Sequence, residues 1–343
     1  MDDVDVTLGL EGPSDLAAAI SRSARAADGF GLDVDATLAW VRSIGSDVAS
    51  APHSEGWESL AAAAAVDVAG ARMLEPHVDA LQILAQAARA GAASTDAVAG
   101  EDATWGVFAA EGKDVSVRAF ARGGRWVLSG TKPWCSLASY LSHALVTAWT
   151  GPDERRLFAV DLRAPGVHPH AGPWVSRGLA QVVSAPVDFD DAAAAPVGDD
   201  GWYLRRPGFA WGGIGVAAVW WGASLPLTDA LAQAAARDGA DQLAAAYAGE
   251  ADAASWAARA VLTDAARRAG RGVDAPAVLA HRVRATVADT AERIVSLAEQ
   301  ALGPAPLTTD EPFARRIADL RIYLRQHHGR RDLAGLGRRL VAS

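Results

Sequence analysis

The sequence predicts an α+β multi-domain chain: an N-terminal helical domain over residues 1–102, a middle β-barrel domain over 103–200 and a C-terminal helical bundle over 201–343. Three features of the pattern lead there. Alanine and leucine at helical spacing dominate the stretch from Asp15 to Gly100. Short β-branched and aromatic runs, broken by turn residues, come next. A helical period returns at Gly208 and holds almost to the end. A length of 343 residues exceeds the ~100–200 of a common single domain, which agrees with more than one folding unit.

In the first part, Ala36 to Ile44 and Leu74 to Ala90 space their apolar residues at three and four, the period of a helix face. In the second, strands are expected at Ser116–Phe120, Arg125–Leu128, Leu145–Trp149, Leu157–Leu162 and Val182–Phe189. Gly123-Gly124 and Ser129-Gly130 read as turns flanking the alternating Arg125–Leu128 run. Such a succession predicts an antiparallel barrel or sandwich. In the third, Val287, Ile294, Val295, Ala298 and Leu302 share one face of a helix over Thr286–Leu302, and Gly303-Pro304 stops it. Glu311-Pro312 opens another helix, with Ile317, Leu320 and Leu324 on one stripe. No internal repeat is visible, and alanine runs such as Ala61–Ala65 are the low-complexity feature.

Charge excludes one class of partner. With 32 Lys+Arg against 41 Asp+Glu the formal charge is −9, the wrong sign for a nucleic-acid backbone binder. Cys135 is the one cysteine, so no intrachain disulfide, CxxC pair or cysteine zinc cluster can form, and no metal site is expected. A reducing cytoplasm is the natural setting. The acidic MDDVDVTLGLEG start lacks the basic and apolar regions of a signal peptide. Pro207–Thr228 is uncharged and nears the ~20 residues of a membrane span, but its glycines and prolines favour a buried bundle helix over a span.

Other motifs are weak. Gly213 to Ala218 fits a loose GxGxxA, yet no strand precedes it, so its glycines read as helix packing. Walker, HExxH and GxSxG signatures are absent. His168 and His170 would share a strand face as half of a metal site, with no third ligand in view. Most of the 12 tryptophans read as core or interface anchors.

Ser129-Gly130-Thr131-Lys132-Pro133-Trp134-Cys135-Ser136, within Trp105–Val167, resembles the middle β domain of the acyl-CoA dehydrogenase superfamily, where Gly-Thr-Lys leads to a Trp-x-Thr/Ser flavin motif. Phe158–Asp161 with Ala164-Pro165-Gly166-Val167 is similar to its strand and x-Pro-Gly-Val segment. Ala298–Gly303 resembles its Gln-x-x-Gly-Gly helix end, and Glu311-Pro312 through Arg315, Asp319, Ile322 and Tyr323 its Pro-x-x-Arg…Asp-x-x-Ile-Tyr pattern. The resemblance implies an FAD-dependent oxidoreductase of fatty-acid metabolism that desaturates an acyl-CoA or related thioester. It further implies hydride transfer to flavin N5, an electron-transferring flavoprotein as acceptor, and a homodimer or homotetramer. By the same resemblance, Trp134 packs on the isoalloxazine and the Ser136 hydroxyl bonds near its reactive nitrogen. Arg237 meets the FAD pyrophosphate, and Gln300 with Gly303 meets a partner subunit's FAD.

The chain also departs from the family. Counting from Asp319 places His327, or His328 after a one-residue slip, where dehydrogenases carry the glutamate base. The alternative location for that base aligns with Trp211. Histidine can serve as a base near neutral pH but brings no negative charge. Phe108–Gly112 shortens the flavin loop, Arg237 precedes Asp238-Gly239-Ala240, and Gly303 precedes Pro304-Ala305-Pro306. The first reading is a dehydrogenase with weak activity or an unusual substrate; the alternatives are a flavin-dependent monooxygenase-type relative and a non-catalytic subunit or scaffold. His327 and His328 could equally be histidines interacting with a helix end.

Overall fold

The computed structural model describes residues 6–9, 12–92, 100, 102–206, 208–272 and 275–341; Met1–Asp5 of the acidic start and Pro207 lie outside them. Helices α1 (Asp15–Ala26), α2 (Val34–Ser50), α3 (His53–Val66) and α4 (Val68–Arg89) open the chain. Their starts are chosen locally: Ser14, Asp33 and Asp67 each accept a backbone N–H at the first turn of α1, α2 and α4, worth about 1 kcal/mol per cap. The buried Glu58 carboxylate of α3 takes the N–H groups of Leu8 (2.6 Å) and Ser14 (2.9 Å), tying the segment before α1 to the bundle.

Strands β1 (Trp105–Phe108), β2 (Val117–Arg122), β3 (Arg125–Ser136), β4 (His143–Trp149), β5 (Arg155–Asp161), β6 (Val167–Pro169) and β7 (Ser184–Val197) follow. β4 joins β2 on one side and β5 on the other, which closes the ring β4-β2-β3-β7-β5 into a barrel. The barrel expected from sequence is present but not wholly antiparallel, because β1 and β2 both meet β4 in parallel. Gly123-Gly124 is the β2–β3 turn, with φ of +57° and +79° that suit glycine. Ser129-Gly130 is no turn: it lies inside β3, where a bulge shifts the register against β7. β3 and β7 therefore run well past the lengths that alternation alone suggested.

β4 is apolar on both faces because α4 covers the outside of the barrel. Ala80, Ile83 and Ala87 of α4 pack with Trp105, Leu145, Leu157 and Val197. His77 pins the same contact: its Nδ1 accepts the Trp105 N–H at 3.2 Å, and burial pushes its pKa down to about 4, so the ring stays neutral.

The chain returns to helix in α5 (Trp202–Arg205), α6 (Gly208–Ala235), α7 (Gln242–Arg271), α8 (Pro276–Leu302), α9 (Pro304–Thr309) and α10 (Glu311–Tyr323). A 3₁₀ turn (Leu324–Gln326) and α11 (Arg330–Val341) complete it. α8 starts ten residues before the Thr286 expected from its apolar stripe. α6 has the length and apolarity to cross a membrane, but 78% of its apolar window is buried inside the molecule. It is the central helix, packed against α3, α4, α7 and α8.

The Ala61–Ala65 run is a packing surface. Every one of its side chains is buried, and small residues let α3 approach α6 closely. A Cβ on Gly222 would stand 2.1 Å from the Ala61 carbonyl oxygen, and backbone cannot yield as a flexible side chain can. Gly222→Ala should therefore cost about 2 kcal/mol or more, despite alanine's better helix propensity. Urea unfolding followed by circular dichroism would check it, and a variant as stable as the parent would show that the two helices can part freely.

Candidate functional site

α4, β3, α6, α8 and α10 converge on a group of buried charges. Arg72, Glu75 and Asp79 lie on α4 at helical spacing, so they share one face. Arg72 Nη2 donates to Ser136 Oγ at the end of β3 (3.0 Å), and Arg72 Nη1 lies 4.0 Å from Glu75 Oε2. Tyr323 Oη, from the end of α10, donates to Glu75 Oε2 at 3.3 Å, and the Arg72 guanidinium sits 5.5 Å from the Tyr323 ring centroid. Arg206 reaches Asp79 at 3.6 Å and Gln86 at 3.1 Å.

Burial dominates the electrostatics. It pushes the Glu75 carboxyl up to about 7, with Arg72 and Arg284 opposing and Asp79 reinforcing the rise. Burial also raises Asp79, against the pull of Arg206, and raises Tyr323 well above its ordinary value with help from Glu75. Glu75 is thus a carboxyl poised to gain or lose a proton near neutral pH, the property expected of a functional group in a cleft.

The loop after the 3₁₀ turn brings His327 to the same region. Its ring lies 6.3 Å from that of Trp220, which in turn meets Tyr323 edge-on at 6.2 Å. Arg284 of α8 covers the other side of Trp220 at 4.8 Å and donates to the carbonyls of Gly213 (2.9 Å) and Gln326 (3.2 Å). His327 Nδ1 stands 3.2 Å from Asp332 Oδ2 without hydrogen-bond alignment, and is left as a buried nitrogen with no hydrogen-bond partner. Burial lowers its pKa, which favours the neutral ring. The neighbouring His328 is 61% exposed. The two histidines left equivalent by sequence are therefore different: one is inside and one is on the surface.

The other expected site residues are dispersed. Trp134 has φ +60° and is 63% exposed, an unusual state for a large aromatic residue that the rigid β3 end imposes. Beside it Cys135, Leu137, Tyr140 and His170 contribute to a cavity of about 220 Å³. Arg237 is exposed just after α6, and Gln300 is exposed at the end of α8. Among the described residues neither side chain bonds to Trp134, Ser136 or His327. Gly303, at φ +67°, separates α8 from α9. His170 pairs with Asp188 at 2.7 Å, and among the described residues no group of three His, Cys, Asp or Glu is placed to hold a metal.

Sequence reasoning missed Arg72, Glu75, Arg284 and Asp332. The available signal was the spacing of Arg72, Glu75 and Asp79 on a helix otherwise rich in Ala, Met, Leu and Val.

A second cleft, between α3, α4 and α6, is bordered by Glu75, Asp79, Trp57, His53 and Trp211. His53 stacks on Trp57 (5.3 Å), and both lie against Trp211 (5.7 and 6.4 Å). The free volume left is about 10 Å³, roughly the space of one water.

Comparison with known proteins agrees with this architecture. The structure of KijD3 in complex with FMN and dTDP-3-amino-2,3,6-trideoxy-4-keto-3-methyl-D-glucose superposes with a TM-score of 0.81, at 19% identity over 99% of this chain and 97% of that one. Butyryl-CoA dehydrogenase from Megasphaera elsdenii gives 0.81, at 16% identity over 96% and 98%. FMN-bound TdsC from Paenibacillus sp. A11-2, a dibenzothiophene monooxygenase, gives 0.75, at 17% identity over 94% and 95%. No curated protein matches the sequence. Residues 199–325 match the model of the acyl-CoA dehydrogenase C-terminal domain. Residues 199–325 thus carry the likeness to the acyl-CoA dehydrogenase C-terminal domain, and the fold of these flavoproteins is shared along the length of the chain.

Proposed function

We propose that the chain is a flavin-dependent oxidoreductase working as a monooxygenase. The residues suit a flavin: Trp134 offers an exposed aromatic face at a fixed strand end, Arg72 offers guanidinium donors where it meets Ser136, and His327 keeps an unpartnered buried nitrogen. Reduced flavin supplies two electrons to O₂, so that one oxygen atom enters the substrate and the other leaves as water. In this reading Trp134 would orient the ring, Arg72, held by Ser136, would bond its polar edge, and the neutral His327 imidazole would take a proton, with Asp332 beside its Nδ1 to stabilise the resulting charge. Two proteins of the same fold support the assignment: TdsC is a dibenzothiophene monooxygenase, and KijD3 is seen in complex with FMN.

The observation that carries this reading over acyl desaturation is that neither position 327 nor position 211, the two places the resemblance gives to the dehydrogenase base, holds a carboxylate. The dehydrogenase reading keeps one observation of its own: Glu75 is a carboxyl at the same junction, titrating near neutrality. It would bring an acyl-CoA substrate and an electron-transferring flavoprotein. Supplying chemically reduced flavin with O₂ and a substrate panel tests the first reading by oxygen incorporation. Anaerobic bleaching of bound flavin by acyl-CoA would decide for the second.

Cofactor form, assembly and location belong to the same proposal. FAD is the form proposed, with Arg237 at its pyrophosphate and Gln300 and Gly303 meeting it from a partner subunit in a cytoplasmic homodimer or homotetramer. The solvent-exposed Arg237 and Gln300 side chains support this. Flavin released by heat and identified as FAD or FMN checks it. His327→Ala should lower turnover ~100-fold or more, as loss of a general base does, while His328→Ala should leave it unchanged. Equal rates for His327→Ala and the parent would remove His327 from the chemistry.

A further inference from the structure

The Ser136 hydroxyl has less freedom than its place in the Trp-x-Ser motif suggests. Ser184 Oγ donates to the Val182 carbonyl at 3.1 Å and lies 2.7 Å from Ser136 Oγ. Ser136 must therefore spend its one hydrogen on Ser184, and it accepts from Arg72 at 3.0 Å. The guanidinium, with five N–H groups, is the donor left at this strand end. Its other neighbour is Glu75, 4.0 Å away and 3.3 Å from Tyr323 Oη.

We propose that Glu75 is a positioning residue for the flavin strand: by holding or releasing a proton it decides how far the Arg72 guanidinium is committed to Ser136, and so carries the protonation state of the helical bundle to the flavin's edge. The inference rests on the reading above that Trp134 and Ser136 meet the flavin. With Glu75 neutral, Arg72 is bound by Ser136 alone and keeps its full charge for a negative group at that edge. With Glu75 ionised, the carboxylate draws Arg72 back along α4 and cancels that charge.

The groups facing Glu75 permit such a switch. On α4 they are Arg72 and Asp79, from α8 Arg284, and from α10 Tyr323. Tyr203 and Arg206 of the α5 turn stand behind Asp79, and His53 of α3 borders the same cleft. Tyr323 and Tyr203 are both held neutral by burial, and burial lowers His53. Burial raises both carboxyls of α4, Asp79 against the pull of Arg206 and Glu75 to about 7, and of the two it is Glu75 that stands 4.0 Å from the Arg72 guanidinium.

Two readouts test the proposal on the full chain. In the flavin-free protein, arginine side-chain nitrogen resonances are followed from pH 5 to 9, with Arg72→Lys assigning the Arg72 signal. That signal should titrate with a midpoint near 7 in the parent, hold still in Glu75→Gln and titrate at a displaced pH in Glu75→Asp. Flavin affinity, read by quenching of flavin fluorescence, should fall about tenfold across the same range in the parent and be flat in Glu75→Gln. An Arg72 titration that survives Glu75→Gln overturns the proposal, as does a pH-independent flavin affinity in the parent. If no flavin binds while Arg72 still titrates with Glu75, the flavin reading falls and the Glu75–Arg72 coupling stands.

Discussion

Replacing Arg316 by methionine is expected to cost about 3–5 kcal/mol of folding stability, the largest single effect among the substitutions considered. Arg316 is buried, and its guanidinium donates to four carbonyls: Ala64 (2.9 Å), Ala65 (2.9 Å), Val66 (2.8 Å) and, on α6, Ala223 (3.3 Å). The first three are the last carbonyls of α3, which have no partner within their own helix. A cation at that end also meets the negative pole of the helix. Burial pulls the Arg316 pKa down to about 10, with Asp67 and Asp319 opposing, and the group remains charged at neutral pH. Methionine fills similar space but leaves the three α3 carbonyls without a donor. Arg315 gives the contrast: it bonds Asp67 at 2.5 Å and Glu311 at 2.9 Å but is 22% exposed, so Arg315→Met should cost about 1 kcal/mol. Urea midpoints of the two variants check the difference, and near-equal values would show that water replaces the lost donors.

Glu75→Gln is expected to change how stability depends on pH, and in a stabilising direction above neutrality. The carboxyl has its ordinary value of 4.5 when the chain is unfolded and about 7 when folded. A raised folded value means that the folded state binds the proton more tightly. The stability this contributes is complete below pH 4.5 and is lost as the pH climbs through 7. At about 1.4 kcal/mol per unit the loss amounts to about 3 kcal/mol. Glutamine stays neutral throughout, so relative to the parent Glu75→Gln should gain stability by about that amount between pH 5 and pH 8. Asp319, raised by burial to about 6, adds a similar slope, but it is present in both proteins and cancels in the comparison. Guanidinium unfolding at the two pH values measures it; a difference between the proteins that is the same at both would mean that the Glu75 carboxyl is not buried as described.

Several parts of the proposed site were legible before any tertiary information. Trp134 and Ser136 follow from the Gly-Thr-Lys segment, and His327 from counting along the helix that begins at Glu311. Arg72, Glu75 and Asp79 were not, because charges at helical spacing ordinarily mark a solvated face. What reverses that reading is the arrival of Ser136, 64 residues on from Arg72, and of Tyr323, 248 residues on from Glu75. The filled cleft has the same origin, since Trp57 and Trp211 meet only when α3 packs on α6.

The sequence by itself determined the order of helices, strands and helices, the Gly123-Gly124 turn and the helical stripe that Gly303 ends. Each depends on residues within one or two turns of each other, where side-chain spacing and backbone preference act directly. Tertiary structure alone decided the closure of the barrel through β4, the lengths of β3 and β7, the packing of Ala61 on Gly222, and which of His327 and His328 lies inside. These depend on which surfaces exclude water together and on which buried donor finds an acceptor, and both are properties of segments far apart in the chain.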